Sequence, residues 1–474
     1  MRIAFCSSEM VPFVKTGGLG DVSGSLPLAL DRLGIEIVIF LPRYKQIDYE
    51  VHQLVKVDEH VSMAILNKKI KVYLIEQDEY FSRDGLYGDI HGDYKDNLER
   101  FQFFSLGVLE TIKKLNVHVD IIHCHDWQTA LIPVYLKEKY AEDAFFKNTK
   151  TILTVHNLSF QGIFPRDKRE HLGLREELFS LGAAFEFYGM INLLKAGMIY
   201  SDKVSTVSKQ YAKEIETEEY GCGLDGVVRS LKGGVEGIIN GVDYKDWHPE
   251  TDGLITKKYA QADFEEGKLL NKRYLQESLG LEPSDAPLFG VVTRLSHQKG
   301  IDLILTATQA LVDEDFQLVI QGIGNKEYDQ RLKKYAQDRS RKVAFLPNFD
   351  EKMAHRIYAG ADFFLMPSSF EPCGLSQMIS LRYGTVPIVF RTGGLIETVI
   401  PFDLDVIHGD GFAFTEYTPE AFAKVIKKAI GVFHNKSTFK GLIANAFKAD
   451  FRWDKSALQY QRMYRCLLSD CQGV

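Results

Sequence analysis

The tetrapeptide TGGL occurs twice, at residues 16–19 and 392–395, each time directly behind a cation, Lys15 or Arg391. Adjacent glycines let a backbone approach a ligand closely, and amides that open a helix favour an anion. Neither turn has the G-x-G-x-x-G spacing of a dinucleotide fingerprint, and no G-x-x-x-x-G-K-[ST] loop occurs in the chain. The stretch TRLSHQKG, residues 293–300, adds two permanent cations behind the apolar run LFGVV. Arg294 would grip a diphosphate as a fork and Lys299 as a point charge. Glu371, in FEPCGLSQM behind FFLMPS, is a carboxylate at the head of an apolar helix. It suits either the helix start or a row of sugar hydroxyls. His156 and Asn157 end TILTV, and Asp126 and Trp127 follow IIHCH. His123 and His125 alternate on that strand with no third ligand in view, so one is expected buried and one packing, and no metal is expected. A G-x-S-x-G nucleophile elbow is missing as well.

These groups sit at the ends of apolar runs that alternate with helical patterns. RIAFCSS reads as a strand, DVSGSLPLALDRLG as a helix and EIVIFLP as the next strand. Residues 52–76 suggest strands joined by a tight turn at residues 67–69, followed by a polar loop over 80–94 and a helix over about 96–115. VDIIHCHD, TILTVHN and DKVSTVS continue the alternation. Repetition of this kind means a parallel sheet covered by helices on both faces. After Trp247 a stretch poor in large apolar groups leads to a second series, PLFGVVTRL, FQLVIQG, KVAFLPN, ADFFLMPS and TVPIVF. The expected fold is therefore α/β, two doubly wound Rossmann-like domains with a deep cleft, with ligands beyond the carboxyl ends of the strands. The break falls near residues 243–250, and an amphipathic helix over 451–470 ends the chain.

The bulk numbers narrow the class. At 474 residues the chain is long enough for more than one core. A net charge of −7 argues against a nucleic-acid partner. Six scattered cysteines, without a C-x-x-C pair, suit a reducing compartment. No apolar run approaches the length of a membrane span, and the N-terminus does not read as a signal peptide, so a cytoplasmic protein is expected.

Together KTGGLGDV, HDW, TVHN, INGVD, TRLSHQKG, FEPCGLSQ and RTGGLIET resemble the bacterial glycogen synthase and plant starch synthase family, glycosyltransferase family 5, over nearly the whole chain. The resemblance implies the GT-B fold: an N-terminal domain over 1–243 on the acceptor side, a nucleotide-sugar domain over 244–450, and a helix over 451–474 packing back on the first. It also implies transfer of glucose from ADP-glucose to the non-reducing end of an α-1,4-glucan (glycogen or a maltooligosaccharide), with retention and no cofactor. Position by position, Lys15, Gly17 and Gly18 match the loop beside the donor, with Asp21 behind them. Arg294 and Lys299 match the pair that stabilises the departing diphosphate, and Glu371 the glutamate facing the glucose. His156 matches the histidine at the reacting centre, and Asp126, Asn157 and Asn240 the polar residues around the sugar. Thr392, Gly393, Gly394 and Leu395 match the phosphate turn, and Tyr94 a tyrosine near the nucleotide. Phe349 replaces a tyrosine that stacks on adenine, keeping the ring and losing the hydroxyl. Ile379 stands where wider GT-B enzymes carry a second glutamate. Two other readings remain open: a relative of the same fold with another donor or acceptor, and a glucan-binding protein without turnover.

Overall fold

The computed structural model describes residues 1–89, 91–406 and 408–469; Asp470 and Cys471 lie outside the described residues. By its internal contacts the chain divides into two units, one of Met1–Gly241 together with the segment from Trp453 onward, the other of Val242–Arg452.

The first unit is built on nine strands: β1 (Arg2–Cys6), β2 (Glu36–Pro42), β3 (Val55–Asp58), β4 (Val61–Leu66), β5 (Ile70–Ile75), β6 (Ile121–His125), β7 (Lys150–Val155), β8 (Lys203–Thr206) and β9 (Val235–Gly237). Their order across the sheet is β9-β8-β7-β6-β1-β2-β5-β4-β3. β1 is central, with Ile3 level with Ile37 on one side and Ile121 on the other, both pairings parallel. Every residue of β6 is buried, as expected for a strand covered on both faces. The sheet departs from pure parallel pairing at one edge, where β4 runs antiparallel to both β5 and β3. The turn from β4 to β5 places Asn67 at φ 48° and Lys68 at φ 65°. Two left-handed central residues define the tight hairpin turn whose twist matches its strands.

The helix after β1 spans Gly18–Arg32, three residues earlier than the apolar period suggests, with Gly17 as its extended N-cap. The last helix, Trp453–Leu468, buries Trp453, Ser456, Ala457, Tyr460, Met463 and Tyr464, an apolar stripe at helical spacing. It packs on the Gly18–Arg32 helix, where Arg32 meets Asp454 at 2.8 Å. Ser456 Oγ donates to the Ile239 carbonyl at 2.6 Å. The Tyr464 hydroxyl lies 2.8 Å from His123 Nδ1. A buried chain of polar groups continues from there: His123 Nε2 to Thr154 Oγ1 at 2.7 Å and Thr154 Oγ1 to Ser205 Oγ at 2.7 Å. Three sheet strands and the last helix are thereby joined inside the core of the first unit.

The second unit carries a six-stranded parallel sheet: β10 (Leu288–Val292), β11 (Gln317–Gln321), β12 (Val343–Leu346), β13 (Phe363–Met366), β14 (Val386–Phe390) and β15 (Phe412–Phe414). The order is β12-β11-β10-β13-β14-β15. The stretch that looks apolar-poor in sequence contains the helix Phe264–Ser278, which buries Lys268 and Lys272 alongside Leu275. Lys268 Nζ donates to Thr385 Oγ1 at 2.6 Å and to the Ala359 and Tyr383 carbonyls at 3.1 and 3.3 Å. Lys272 Nζ pairs with Asp362 at 2.6 Å, and the same carboxylate accepts from the Leu288 amide at 2.8 Å. Desolvation pushes the Lys268 ammonium down to about 7. Long lysine stems supply the packing that an apolar stripe usually supplies, and their heads bind carbonyls left over at element ends.

The polar chain through the first unit gives a direct test. Tyr464→Phe removes the hydroxyl and leaves His123 Nδ1 buried without a partner, which costs about 1–3 kcal/mol. Urea unfolding reads this as a lowered midpoint, and an unchanged midpoint excludes a contribution from the contact.

Candidate active site

In the first unit the chain leaves β1 through Ser7, Ser8 and Glu9. Glu9 is buried, and its carboxylate accepts from both the amide and the hydroxyl of Thr16, at 2.6 and 2.7 Å. Burial raises the Glu9 carboxyl above its ordinary range, and the Thr16 contacts pull it back in part. Met10 and Val14 exchange two backbone hydrogen bonds of 2.9 Å, closing the loop that carries Lys15. Lys15 Nζ lies 2.6 Å from Asp21 in the first turn of the helix, so two expected donor residues already hold each other. Among the glycines of this turn Gly20 is sterically tight: a Cβ there would lie 3.0 Å from the Lys15 side chain, whereas one on Gly17 would meet only Glu9 at 3.8 Å. Gly20 therefore lets Lys15 lie over the helix start.

Asp126, just beyond β6, adopts φ 57° and ψ −174°, a conformation costly for a residue with a Cβ. In that position its carboxylate accepts from the His156 amide at 2.7 Å. Desolvation pushes Asp126 up to about 7, opposed by the His156 amide and reinforced by the charge of Glu9. His156 follows β7, and its Nε2 lies 2.9 Å from Nδ1 of His125. Desolvation holds His123 and His156 down to about 3, and His125 well below its ordinary value, so all three rings are neutral at physiological pH. Both His123 and His125 are fully buried, whereas the sequence suggested one buried and one packing residue. β6 lies between β1 and β7 in the interior of the sheet, with every residue buried. Among the described residues no group of three metal-ligating side chains is present.

Asn157 spends its side-chain oxygen on the Ser159 amide at 3.0 Å. Asn240 is buried, and its Oδ1 has no partner among the described residues. Tyr94 is occupied in folding the loop before the Asn97–Lys114 helix. Its hydroxyl accepts from the Gly85 amide at 3.2 Å, and the Arg83 and Arg100 guanidinium groups lie 4.8 and 4.9 Å from its ring. Arg100 is fully buried and binds the Tyr80 and Leu86 carbonyls and Asn97 Oδ1. The tyrosine that reaches the strand-end loop of β1 is Tyr87, whose hydroxyl lies 2.7 Å from Ser8 Oγ. Glu9 and Tyr87 are residues that motif reading passes over. Glu9 stands directly behind an expected strand, the one signal that would have selected it; Tyr87 carries none, and His125 reads in sequence only as a possible metal ligand, although it opens the HDW motif.

In the second unit three loops beyond β10, β13 and β14 are stitched together. The Ser369 amide donates to the Gln298 carbonyl at 2.8 Å, and Gln298 Nε2 donates to the Phe370 carbonyl at 3.1 Å. The Gly394 amide donates to the Glu371 carbonyl at 3.0 Å. Gly300 and Gly394 permit these approaches, because a Cβ at either would collide with the carbonyl of Pro367 or of Cys373. Where the loops meet, Lys299 Nζ lies 2.5 Å from Glu371 Oε2, with side chains 15% and 9% exposed. Arg294, on the same loop as Lys299, is exposed and has no ion pair among the described residues. Its backbone is fixed on both sides by the Thr293 amide on the Gln321 carbonyl, at 3.0 Å, and the Leu295 amide on the Ile323 carbonyl, at 2.9 Å. Thr392 and Leu395 are buried, and the Leu395 amide donates back to the Thr392 carbonyl at 3.0 Å. Of the turn's amides, those of Gly394 and Leu395 are thus committed internally, while Gly393 opens the short helix at φ 43°. Phe349 lies beyond β12 and is 60% exposed.

The chemistry of these loops can be set beside known proteins. A profile of the starch synthase catalytic domain matches residues 2–230, and one of glycosyl transferases group 1 matches residues 277–438. Glycogen synthases of Geotalea daltonii and Thermodesulfovibrio yellowstonii are 42% and 43% identical, over 99% of this chain and 99% and 98% of theirs. The catalytic domain of starch synthase IV from Arabidopsis thaliana, solved bound to ADP and acarbose, aligns with a TM-score of 0.90 at 31% identity, covering 99% of each chain. Sucrose-phosphate synthase of Thermosynechococcus elongatus shares the fold at a TM-score of 0.63 and 19% identity. With two Rossmann-like units and this match over its whole length, the chain belongs to the glycogen synthase family of GT-B glycosyltransferases.

Proposed function

We propose that this glycosyltransferase moves glucose from ADP-glucose to the non-reducing end of an α-1,4-glucan with retention at the anomeric carbon. The observation that carries the proposal is the Lys299–Glu371 pair beside Arg294 at the ends of parallel strands. A diphosphate sugar presents an anion and a row of hydroxyls a few ångströms apart. An ammonium and a carboxylate held side by side, 2.5 Å apart, offer one partner to each half. The ADP moiety is supported by the Arabidopsis relative, which was solved with ADP, and by the exposed Phe349 ring, a face on which an adenine stacks.

In the proposed reaction the bond between the anomeric carbon and the phosphate oxygen breaks, and a glucan hydroxyl oxygen bonds to that carbon. The hydroxyl proton passes to the departing phosphate oxygen. Arg294 and Lys299 stabilise the charge that develops on the diphosphate, as fixed cations in place before reaction. Glu371 is bound to Lys299 and accepts from donor hydroxyls, so attack from the leaving-group side replaces a covalent glycosyl–enzyme step. For the first unit the proposal keeps Lys15, Gly17, Gly18 and Asp21 with the donor. It also keeps Asp126, His156, Asn157 and Asn240 with the sugar, the His156 carbonyl easing positive character at the anomeric carbon. Thr392, Gly393, Gly394 and Leu395 serve as the backbone wall of the phosphate site. Tyr94 acts by shaping the loop that carries Tyr87. Neither a metal nor a cofactor has a role in the scheme.

Transfer of radiolabel to glycogen from ADP-glucose, compared with UDP-glucose, tests the reaction itself. The expected result is turnover with ADP-glucose at least about tenfold faster, a difference of about 1.4 kcal/mol in the barrier. Equal or faster transfer from UDP-glucose overturns the donor assignment, and no transfer from either overturns the enzyme reading. Lys299→Ala lowers kcat by on the order of 10²-fold or more. It also strands the Glu371 carboxylate, so Glu371→Gln in the same background recovers thermal stability without recovering turnover. A kcat for Lys299→Ala within about twofold of wild type excludes the role in leaving-group stabilisation, since stabilisation of a few kcal/mol is required.

A further inference from the structure

His125 lies one shell behind the groups that the proposed reaction uses, and it is sealed from solvent. The Phe5 and His123 rings lie 4.2 Å from its ring centroid, and it is fully buried. Its Nδ1 lies 2.9 Å from His156 Nε2, while its own Nε2 is buried with no hydrogen-bond partner among the described residues. His123, the other buried imidazole on β6, has a partner for each nitrogen. Two neutral imidazoles sharing one hydrogen bond require one donor and one acceptor. If His156 Nε2 carried the proton, His125 would have to carry its own on Nε2, as a buried N–H with no acceptor. A bare lone pair at that atom is the lesser penalty, because orphaned buried N–H groups are the rarer kind in folded proteins.

We infer that His125 is a positioning residue that donates Nδ1–H to His156 Nε2 and so fixes His156 as the Nδ1–H tautomer. His156 then presents its ring to substrate as a hydrogen-bond donor, its basic nitrogen being occupied by His125. The His156 amide is tied to Asp126 on the other side, so both the backbone and the ring of this residue are set by β6 and the turn after it. A His156 ring of this kind cannot take the proton of an attacking hydroxyl at Nε2, which leaves that proton to the departing phosphate. The consequence for catalysis rests on the reading of the reaction given above; the tautomer itself does not.

The test uses the full-length protein with 15N-labelled histidine and long-range proton–nitrogen correlation at neutral pH without substrate. The His156 signals are those that His156→Gln removes. The expected wild-type spectrum shows a protonated Nδ1 and a bare Nε2 for His156, and a protonated Nε2 overturns the inference. In His125→Leu the fixed tautomer gives way to a mixture or to Nε2–H, whereas an unchanged Nδ1–H form overturns the role of His125. Kinetically, His125→Leu lowers kcat about tenfold or more with little change in KM, as expected for a misoriented group. His125→Asn, which keeps an N–H at the same place, recovers most of that loss. Wild-type kcat in His125→Leu overturns the positioning role. Should His125→Leu not fold, the wild-type tautomer decides. Because that spectrum is recorded without substrate, it stands or falls separately from the wild-type transfer assay with ADP-glucose.

Discussion

The 2.5 Å ion pair between Lys299 and Glu371 is the contact on which the second unit's site depends. Taking both charges out of water costs several kcal/mol, and the pair is held only because the loops around it are fixed by backbone hydrogen bonds. Two glycines, Gly300 and Gly394, allow those loops to come within hydrogen-bonding distance. In the proposed reaction the same geometry that makes the pair expensive makes it useful, since an incoming diphosphate sugar would supply a new partner for each charge. Arg294 lies on the same loop with no ion pair among the described residues, on a backbone pinned to the loop after β11.

In the first unit the buried strands carry uncharged polar groups instead. Histidines, threonines and a serine lie inside the buried strands β6, β7 and β8, where an unmet hydrogen bond is costly. His123, Thr154 and Ser205 are satisfied by one another and by Tyr464 of the last helix, so that helix becomes part of the sheet's polar interior. At the carboxyl ends of the same strands the chain accepts strain. Asp126 takes a left-handed conformation to reach the His156 amide, and Glu9 stays buried to hold Thr16. Desolvation keeps the imidazoles neutral and lifts the carboxyl groups, so hydrogen bonding, and not net charge, organises this region.

Much of this was legible in the chain itself. The strands could be read because residues buried on both faces form continuous apolar runs, and each candidate residue at a strand's carboxyl end was found for that reason. The twin TGGL turns and the TRLSHQKG loop also stood out, because glycine and permanent cations at strand ends have few other uses. The helix Phe264–Ser278 escaped notice, since its buried face is made of lysine stems whose partners come from residues 359–385. Tyr87 is passed over, because only folding of the loop around Arg100 brings its hydroxyl to Ser8.

By itself the sequence determined the two sheets, the cation pair Arg294 and Lys299, and the family. Each is written in local periodicity or in residues adjacent along the chain. Tertiary structure alone decided that Glu371 would be Lys299's partner, that Gly20 rather than Gly17 is the crowded glycine, and that His125 would stand behind His156. The first and the last depend on distances between strands neighbouring in the sheet but 72 and 31 residues apart in the chain. Side-chain partners at such separations are fixed by register and burial, which no local pattern records.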